Sequence, residues 1–249
     1  MNKTKQQIII NCEKILIAYK NGSLGQTIMP EDTNPHFESG DHEQELSYFT
    51  LPMSLNYQRN SYHLWEAALK SYQDNQTLWI FDINQVTKRS SDLLREALIK
   101  HKLALQPNKH INTWHTIAKT ITNNWGSIEN LITNSDNDFL KLQKIIRIDY
   151  KAGLPYLSGP KIFNYWCFIL SQYCKIKFKN AAYIDIAPDT HITKCSIKLG
   201  IITEEEAKKI SKEQLSQKWR NLLTDTSINP IDMHSPLWFW SRNGFIYEL

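Results

Sequence analysis

Helical periodicity runs along almost the whole chain and limits what it can fold into. In residues 8–19, apolar side chains recur at three- and four-residue spacing, and Asn21-Gly22 then favours a helix stop. Similar segments follow at short intervals up to the last residues of the chain. Strand signals are sparse, with residues 78–81 and 182–186 as the two candidates. The pattern predicts an all-α protein of about a dozen short helices.

The length and composition of the chain exclude several classes of protein. A chain of 249 residues suits one large domain or two lobes around one cleft. Hydrophobic residues make up 41% of it, enough apolar mass to offset the ordering entropy, so intrinsic disorder is excluded. No window approaches the roughly 18 apolar residues that span a bilayer, and the N-terminus lacks a signal-peptide pattern. The sequence therefore predicts a soluble, intracellular protein with no membrane partner.

The four cysteines are too scattered to indicate a metal site. No two of them form a CxxC pair or another short spacing that zinc knuckles and iron–sulfur loops use. We therefore interpret them as reduced, partly buried thiols. They are Cys12, Cys167, Cys174 and Cys195.

Positive charge is concentrated in the second half of the chain. Residues 1–140 carry 13 basic and 15 acidic side chains, for a net −2, whereas residues 141–249 carry 16 and 10, for +6. Within residues 141–200, ten basic side chains stand against three acidic ones, for a net +7. A charge cluster is most often a solvated face, but an excess of this size is also typical of a surface that binds a polyanion.

A tight turn followed by a long apolar helix is the first of two motifs inside this basic region. Residues 153–160 read GLPYLSGP, and Pro160 suits the first position of a helix. Gly159 permits a close backbone approach and an unusual φ angle. Such a hairpin would direct free N–H groups outward, where they suit a phosphate oxygen. Lys161 stands just inside the helix that follows.

The second motif, PDTH at residues 188–191, opens another apolar helix that ends at Gly200. Asp189 lies in or beside its first turn, where the helix dipole favours a carboxylate, and could act as a base or a stabiliser of positive charge. In isolation, Asp189 is better read as a helix cap and Lys161 as a solvated lysine. In this order, inside a basic region, the two residues favour a functional interpretation.

Together the two motifs resemble those of the helix-hairpin-helix DNA glycosylases, the HhH-GPD superfamily of endonuclease III and the 8-oxoguanine glycosylases. The resemblance implies two helical lobes, approximately residues 45–150 and residues 1–44 plus 151–249, with the hairpin at 153–161 and the active site in the cleft between the lobes. The matching residues are Leu157, Gly159 and Lys161 in the hairpin, and Asp189, Thr190, His191, Lys194, Leu199 and Gly200 downstream.

The resemblance also implies a function in DNA base-excision repair, as an N-glycosylase with an abasic-site (AP) lyase step. In this family the lysine after the hairpin glycine attacks C1′ of the sugar, which would make Lys161 the Schiff-base nucleophile and Asp189 the essential carboxylate. A carboxylate suits a reaction that builds positive charge on the sugar, and an imine permits β-elimination. The implied partner is double-stranded DNA with a damaged or abasic site, bound by a monomer in the cytoplasm or nucleoid. The only cofactor compatible with the resemblance is a structural monovalent cation at the hairpin.

Three departures from the family pattern bear on the substrate. The hairpin reads Tyr156-Leu157-Ser158-Gly159 where the family has two glycines around an apolar residue, and the interval from Lys161 to Asp189 is long, at 28 (189 − 161). The four-cysteine iron–sulfur cluster of endonuclease III is absent. Its absence and an aromatic C-terminal helix favour an oxidised purine such as 8-oxoguanine. Two alternatives stay open, an N-glycosylase of a modified nucleoside or nucleotide and a catalytically silent DNA-binding module.

Further segments supply candidate contacts with DNA. The resemblance places residues 56–59 where a helix and loop enter the gap that an extruded base leaves, although a plain polar turn is an equal alternative. The predicted wedge or orphan-base contacts are Asn56, Tyr57, Gln58 and Arg59, and the other predicted DNA contacts are Leu157, Ser158, Gly159 and His191.

The base pocket is predicted from aromatic and polar residues near the two motifs. Tyr165 lies one helical turn beyond Lys161 and would face the same pocket. Asp232 and His234 are candidates for the base edge. Trp238 and Trp240 could stack on a base, but aromatic residues of a terminal helix more often seal a core, so we expect one of the two to do so.

Overall fold

A computed structural model of the protein describes residues 4–37 and 41–249, and it confirms the predicted all-α class. Within these residues the one β pairing is an isolated bridge between Asp138 and Lys179. None of the helices there is both long and apolar enough to cross a membrane. In chain order, the α-helices are α1 (Lys5–Lys20), α2 (His42–Leu55), α3 (Ser61–Gln73), α4 (Ile83–Lys88), α5 (Ser91–Lys100), α6 (Pro107–Asn124), α7 (Ile128–Asn134), α8 (Phe139–Lys144), α9 (Pro160–Tyr173), α10 (Thr190–Leu199), α11 (Glu204–Ala207), α12 (Lys212–Leu223) and α13 (His234–Arg242).

Neither candidate strand forms a strand. Leu78–Phe81 is a 3₁₀ turn, and its last three residues are buried against the core of large aromatic side chains. Such a turn places consecutive bulky side chains into a core without a neighbouring strand to complete their backbone hydrogen bonds. The second candidate begins as another 3₁₀ turn, Ala181–Tyr183, and continues without regular secondary structure up to α10.

The chain divides into two compact units whose limits differ from the predicted lobes. The central unit is Met29–Asn180, and the terminal unit combines Met1–Ile28 with Ala181–Leu249. Residues 29–37, 41–44 and 151–180 were expected with the chain ends, but they lie in the central unit, where hydrogen bonds hold several of them. The Tyr173 hydroxyl donates to Asp32 Oδ1 over 2.6 Å, and the Trp166 indole donates to Thr50 Oγ1 over 2.9 Å. Lys161 therefore belongs to the central unit and Asp189 to the terminal unit.

Three fully buried tryptophans anchor the central unit, namely Trp65, Trp114 and Trp166. The Trp166 indole bond to Thr50 ties α9 to α2, so the helix that begins beside Lys161 is held along its buried face. Trp114 Nε1 donates to the Ile80 carbonyl over 2.9 Å and ties α6 to the 78–81 turn. The indole N–H groups of Trp114 and Trp166 are both satisfied, so burial of these two rings leaves no polar penalty to set against the apolar area that they remove from water.

The terminal unit has its own core between α1 and the C-terminal helices. Ile8 and Ile15 of α1 pack in one cluster with Trp219 of α12 and Trp240 of α13. Trp219 Nε1 donates to Ser196 Oγ of α10 over 2.9 Å, which fixes the helix that Asp189 precedes. Trp240 is the C-terminal tryptophan that packs in the core, as expected for one of the two.

The cysteines are buried free thiols, which confirms the interpretation from their spacing. Cys12 lies in the core of the terminal unit, and burial raises the pKa of its thiol to about 12. Burial also raises the pKa of the other three thiols, so the reactive thiolate form is disfavoured throughout.

Candidate active site

The hairpin is closed by its own backbone rather than by outward N–H groups. The N–H groups of Leu157, Ser158 and Gly159 donate to the carbonyls of Pro155, Leu154 and Tyr156 over 2.8 to 2.9 Å. This corrects the expectation that the turn presents free donors, because a turn this tight brings each N–H onto a carbonyl two to four residues back.

Side chains of the hairpin are also committed to the fold. Leu157 is fully buried, and Ser158 is 9% exposed, with its hydroxyl donating to the Lys151 carbonyl over 3.3 Å. Both were predicted DNA contacts, and the structure instead gives them packing and turn-closing roles. Arg147 Nε donates to the Ser158 carbonyl over 3.3 Å, which places a guanidinium beside the turn.

Glycine at position 159 serves close approach rather than an unusual φ angle. Its φ is −68°, and a Cβ built there would lie 3.1 Å from the Tyr156 carbonyl oxygen. The left-handed residue of the turn is Tyr156, with φ +62°. Positive φ strains the backbone of a bulky residue, and the surrounding structure must hold it there. Such strained residues are concentrated at functional sites.

Lys161 stands in the first turn of α9, directly after the hairpin. Pro160 is the first residue of the helix, as the sequence indicates, and Asn164 Nδ2 donates back to the Pro160 carbonyl over 2.8 Å. Phe163 and Trp166 face the core, whereas Lys161 is half-buried on another face. The anchored helix therefore fixes the position of the Lys161 backbone.

Asp189 caps α10. Its Oδ1 accepts the Ile192 N–H over 2.9 Å, and the helix ends at Gly200, whose φ of +82° provides a left-handed cap. Asp189 is half-buried, and no described residue donates a hydrogen bond to its Oδ2. One oxygen thus orients the carboxylate, and the other is available for chemistry.

Four residues of the terminal unit form a cluster of contacts near this cap. His191 Nδ1 lies 3.0 Å from Ser241 Oγ, and its ring meets the Trp238 ring edge-on at 5.2 Å between centroids. Burial is the main cause of the lowered pKa of His191, and this shift favours the neutral ring. The Arg242 guanidinium lies 4.8 Å above the Trp238 ring. The structure therefore brings together two predicted contacts, His191 and Trp238.

Asp232 and His234 have local roles in the terminal unit. Asp232 is exposed, and its Oδ2 accepts the Asn229 N–H over 3.1 Å at the start of the Pro230–Met233 turn. His234 is 5% exposed and begins α13. Their assignment to a base edge stays a prediction.

The loop at residues 56–59, which follows α2, divides into exposed and anchored residues. Tyr57 is 42% exposed, Gln58 is exposed with φ +50°, and Asn56 is half-buried beside Ser61. Arg59 differs from the predicted DNA contact, because its guanidinium donates to the carbonyls of Leu103 (2.6 Å) and Lys102 (3.2 Å). It anchors the loop to the 101–106 connection, and burial lowers its pKa to about 10.

The loop and the hairpin meet in the central unit. The rings of Tyr57 and Tyr156 lie 5.5 Å apart between centroids. Lys109, near the start of α6, places its ammonium 5.2 Å from the Tyr57 centroid and 5.1 Å from the Tyr156 centroid. Sequence reasoning did not predict the contact between Lys109 and Tyr156, because nothing in the local pattern indicates that α6 begins beside the hairpin.

Sequence reasoning also missed a buried carboxyl group next to Tyr165. Glu31 is 2% exposed, and the Tyr165 hydroxyl donates to its Oε1 over 2.5 Å. The neighbouring Asp32 accepts from Tyr173, so two tyrosines of α9 hold the Pro30–Asp32 turn. The hydroxyl of Tyr165, a predicted base-pocket residue, is thus bonded to Glu31. Burial raises the pKa of Glu31 to about 7 despite the tyrosine hydrogen bond, which opposes the rise.

Replacing Glu31 by glutamine is expected to remove a pH dependence of stability. The folded pKa of about 7 exceeds the ordinary value of 4.5, so the folded state binds this proton more tightly than the unfolded state. The stabilisation is therefore full below pH 4.5 and is lost as the pH rises through 7, by on the order of 3 kcal/mol. Glutamine retains the Tyr165 acceptor without titrating.

Urea unfolding of both proteins between pH 4 and 8 measures this effect. The free energy of unfolding of the wild type should fall relative to Glu31→Gln as the pH rises. The control is Glu13→Gln, which alters an exposed carboxyl group on α1 and should follow the wild type. Parallel curves for the wild type and Glu31→Gln would contradict the assignment.

The residues present do not fit a cation at the hairpin. Its carbonyls of Leu154, Pro155 and Tyr156 already accept N–H groups, and the Arg147 guanidinium supplies positive charge at the Ser158 carbonyl. Elsewhere in residues 4–37 and 41–249, no three His, Cys, Asp or Glu side chains form a group that could hold a metal ion.

Comparison with known proteins gives no match, either to a family model or to a curated protein. The resemblance to the helix-hairpin-helix glycosylases therefore depends on the residues of the two motifs.

Proposed function

We propose that the chain is a DNA N-glycosylase with an associated β-lyase step, in which Lys161 is the nucleophile and Asp189 the assisting carboxylate. The observation that carries the proposal is the contact between Tyr57 and Tyr156, 5.5 Å apart, which unites two segments predicted to bind DNA. Their positions in the sequence are 99 apart (156 − 57). A wedge loop and a hairpin can contact one duplex together only when they lie side by side.

Lys161 has the placement that an amine nucleophile needs. It follows the hairpin immediately, and α9 is held by the buried Trp166. In the proposed reaction the neutral amine attacks C1′, and the electron pair of the C1′–N bond leaves with the base, which takes up a proton. The bond from C1′ to the ring oxygen O4′ then breaks with protonation of O4′, giving an iminium ion. Removal of a C2′ proton expels the 3′ phosphate.

Asp189 is suited to stabilise the positive charge that develops on the sugar. The capping bond to Ile192 fixes the carboxylate before any substrate is present, so little reorganisation is needed when charge forms.

We extend the proposal to an oxidised purine substrate, for which Trp238 would provide a stacking surface. Screening lesion-bearing duplexes for cleavage would identify the base.

Borohydride trapping on a duplex with a single abasic site tests the proposal. The reagent reduces the iminium to a stable amine, so the wild-type chain should give one covalent protein–DNA adduct on a denaturing gel. The adduct should depend on borohydride and on the abasic site, and an undamaged duplex is the control.

Two results would point to the alternatives. Tight binding to the abasic duplex with no adduct and no base release would indicate a silent DNA-binding module. Failure to bind DNA, together with base release from a free modified nucleoside, would indicate the small-molecule glycosylase. Either result would overturn the proposed lyase.

A further inference from the structure

Lys109 combines exposure with an uncompensated charge. It is exposed near the start of α6, and no carboxylate of a described residue lies within ion-pair distance of its ammonium. Its contacts are the faces of Tyr57 and Tyr156, at 5.2 and 5.1 Å. Cation–π contacts restrict where the ammonium can go without neutralising it.

The surroundings of Lys109 are positive as well. Arg59 is anchored close to His110, and the charges of Arg59 and Lys109 add to burial in lowering the pKa of His110 to about 4. His110 Nδ1 accepts the Leu105 N–H over 3.2 Å, so it is a neutral ring that helps to fix the start of α6. Two positive charges therefore act on one neutral ring, and a cationic surface of this kind attracts an anion.

Lys109, Tyr57, Gln58, Leu105 and Tyr156 together form a surface patch. The shape of this patch suits an extended ligand rather than a small ion. Tyr57 is 42% exposed, and Leu105 nearby is 54% exposed. Gln58 and Tyr156 both have left-handed backbones, so the loop and the hairpin are held in strained conformations where they meet. The patch therefore offers a positive point, aromatic surface and two shaped loops on one face of the central unit.

We infer that Lys109, which Tyr57 and Tyr156 hold in place, binds a DNA phosphate. The loop, the hairpin and α6 then contact the same strand. This inference rests on the proposed function, since it names a contact for the same DNA. The two rings reduce the rotamer freedom that a lysine loses on binding, and they leave its charge available. Nothing in the sequence motifs assigns α6 a role in binding.

Salt-dependent binding separates a phosphate contact from a purely structural tie. The ligand is a fluorescent duplex with a tetrahydrofuran abasic analogue, measured by anisotropy over a range of salt concentrations. Lys109→Met should weaken binding about 5- to 10-fold near 0.1 M salt and reduce the salt slope by about 1. Lys109→Arg should retain the slope. Lys70→Met removes an exposed lysine of α3 in the same unit and should behave like the wild type.

The possible failures are distinguishable from one another. If Lys109→Met lowers the melting temperature but leaves the salt slope unchanged, the lysine only ties the loops together and the inference is overturned. If the slope falls as expected but the wild type gives no borohydride adduct, the inference stands and the proposed lyase fails. If the wild-type chain binds no duplex, both are overturned.

Discussion

Replacing Lys161 by glutamine is expected to abolish the borohydride-trapped adduct and to slow strand cleavage by about 10³-fold or more. Glutamine has no basic amine, so neither attack on C1′ nor an iminium is available to it. The fold should survive, because Lys161 is half-buried and the helix is anchored by Phe163 and Trp166 instead. Gel quantification of the adduct and circular dichroism together measure both outcomes.

The matched control is Lys177→Gln, which removes an exposed lysine from the lysine-rich segment after α9. It lowers the net charge by the same amount, so any loss through weaker general attraction to DNA would appear in both variants. Adduct formation by Lys161→Gln at the wild-type rate would exclude Lys161 as the nucleophile.

Replacing Asp189 by asparagine is expected to slow base release by about 10²- to 10³-fold while leaving the fold intact. Asparagine is as good an N-cap as aspartate, so its side-chain oxygen can still accept the Ile192 N–H. The charge is lost and the cap is kept. Asp189→Ala removes both, and should show the same loss of rate together with a loss of about 1 kcal/mol in the free energy of unfolding.

Asp138→Asn controls for the loss of a capping carboxylate in general. Asp138 caps α8 by accepting the N–H groups of Leu140 and Lys141. This variant should retain wild-type base release in single-turnover assays. If Asp189→Asn also turns over normally, Asp189 is only a cap and its assigned role is incorrect.

Features that depend on neighbouring residues could be predicted from the sequence. Gly22 and Gly200 end α1 and α10 with positive φ, and the Ser90 hydroxyl caps α5 through the Leu93 N–H. Pro160 begins α9, as its fixed φ and missing N–H favour. In each case the partner lies within a few residues, so the local chemistry decides the outcome.

Features that depend on distant partners could not be predicted in this way. Arg59 looked like a free cation in a polar turn, but its acceptors are carbonyls more than 40 positions later. Leu157 was predicted to contact DNA, but it is fully buried. The same limit applies to Lys109 and Glu31, whose significance comes from Tyr156 and Tyr165, residues remote in sequence.

The two-part composition of the terminal unit has a consequence for how the chain is made. Helix α1 packs with α12 and α13, but the end of α1 and the start of α12 are 192 positions apart (212 − 20). The central unit, in contrast, is one continuous stretch and can assemble once residue 180 has been translated. The apolar face of α1, with Ile8 and Ile15, therefore leaves the ribosome long before the helices that cover it. A nascent chain that stalled before α12 would leave that apolar face exposed to solvent.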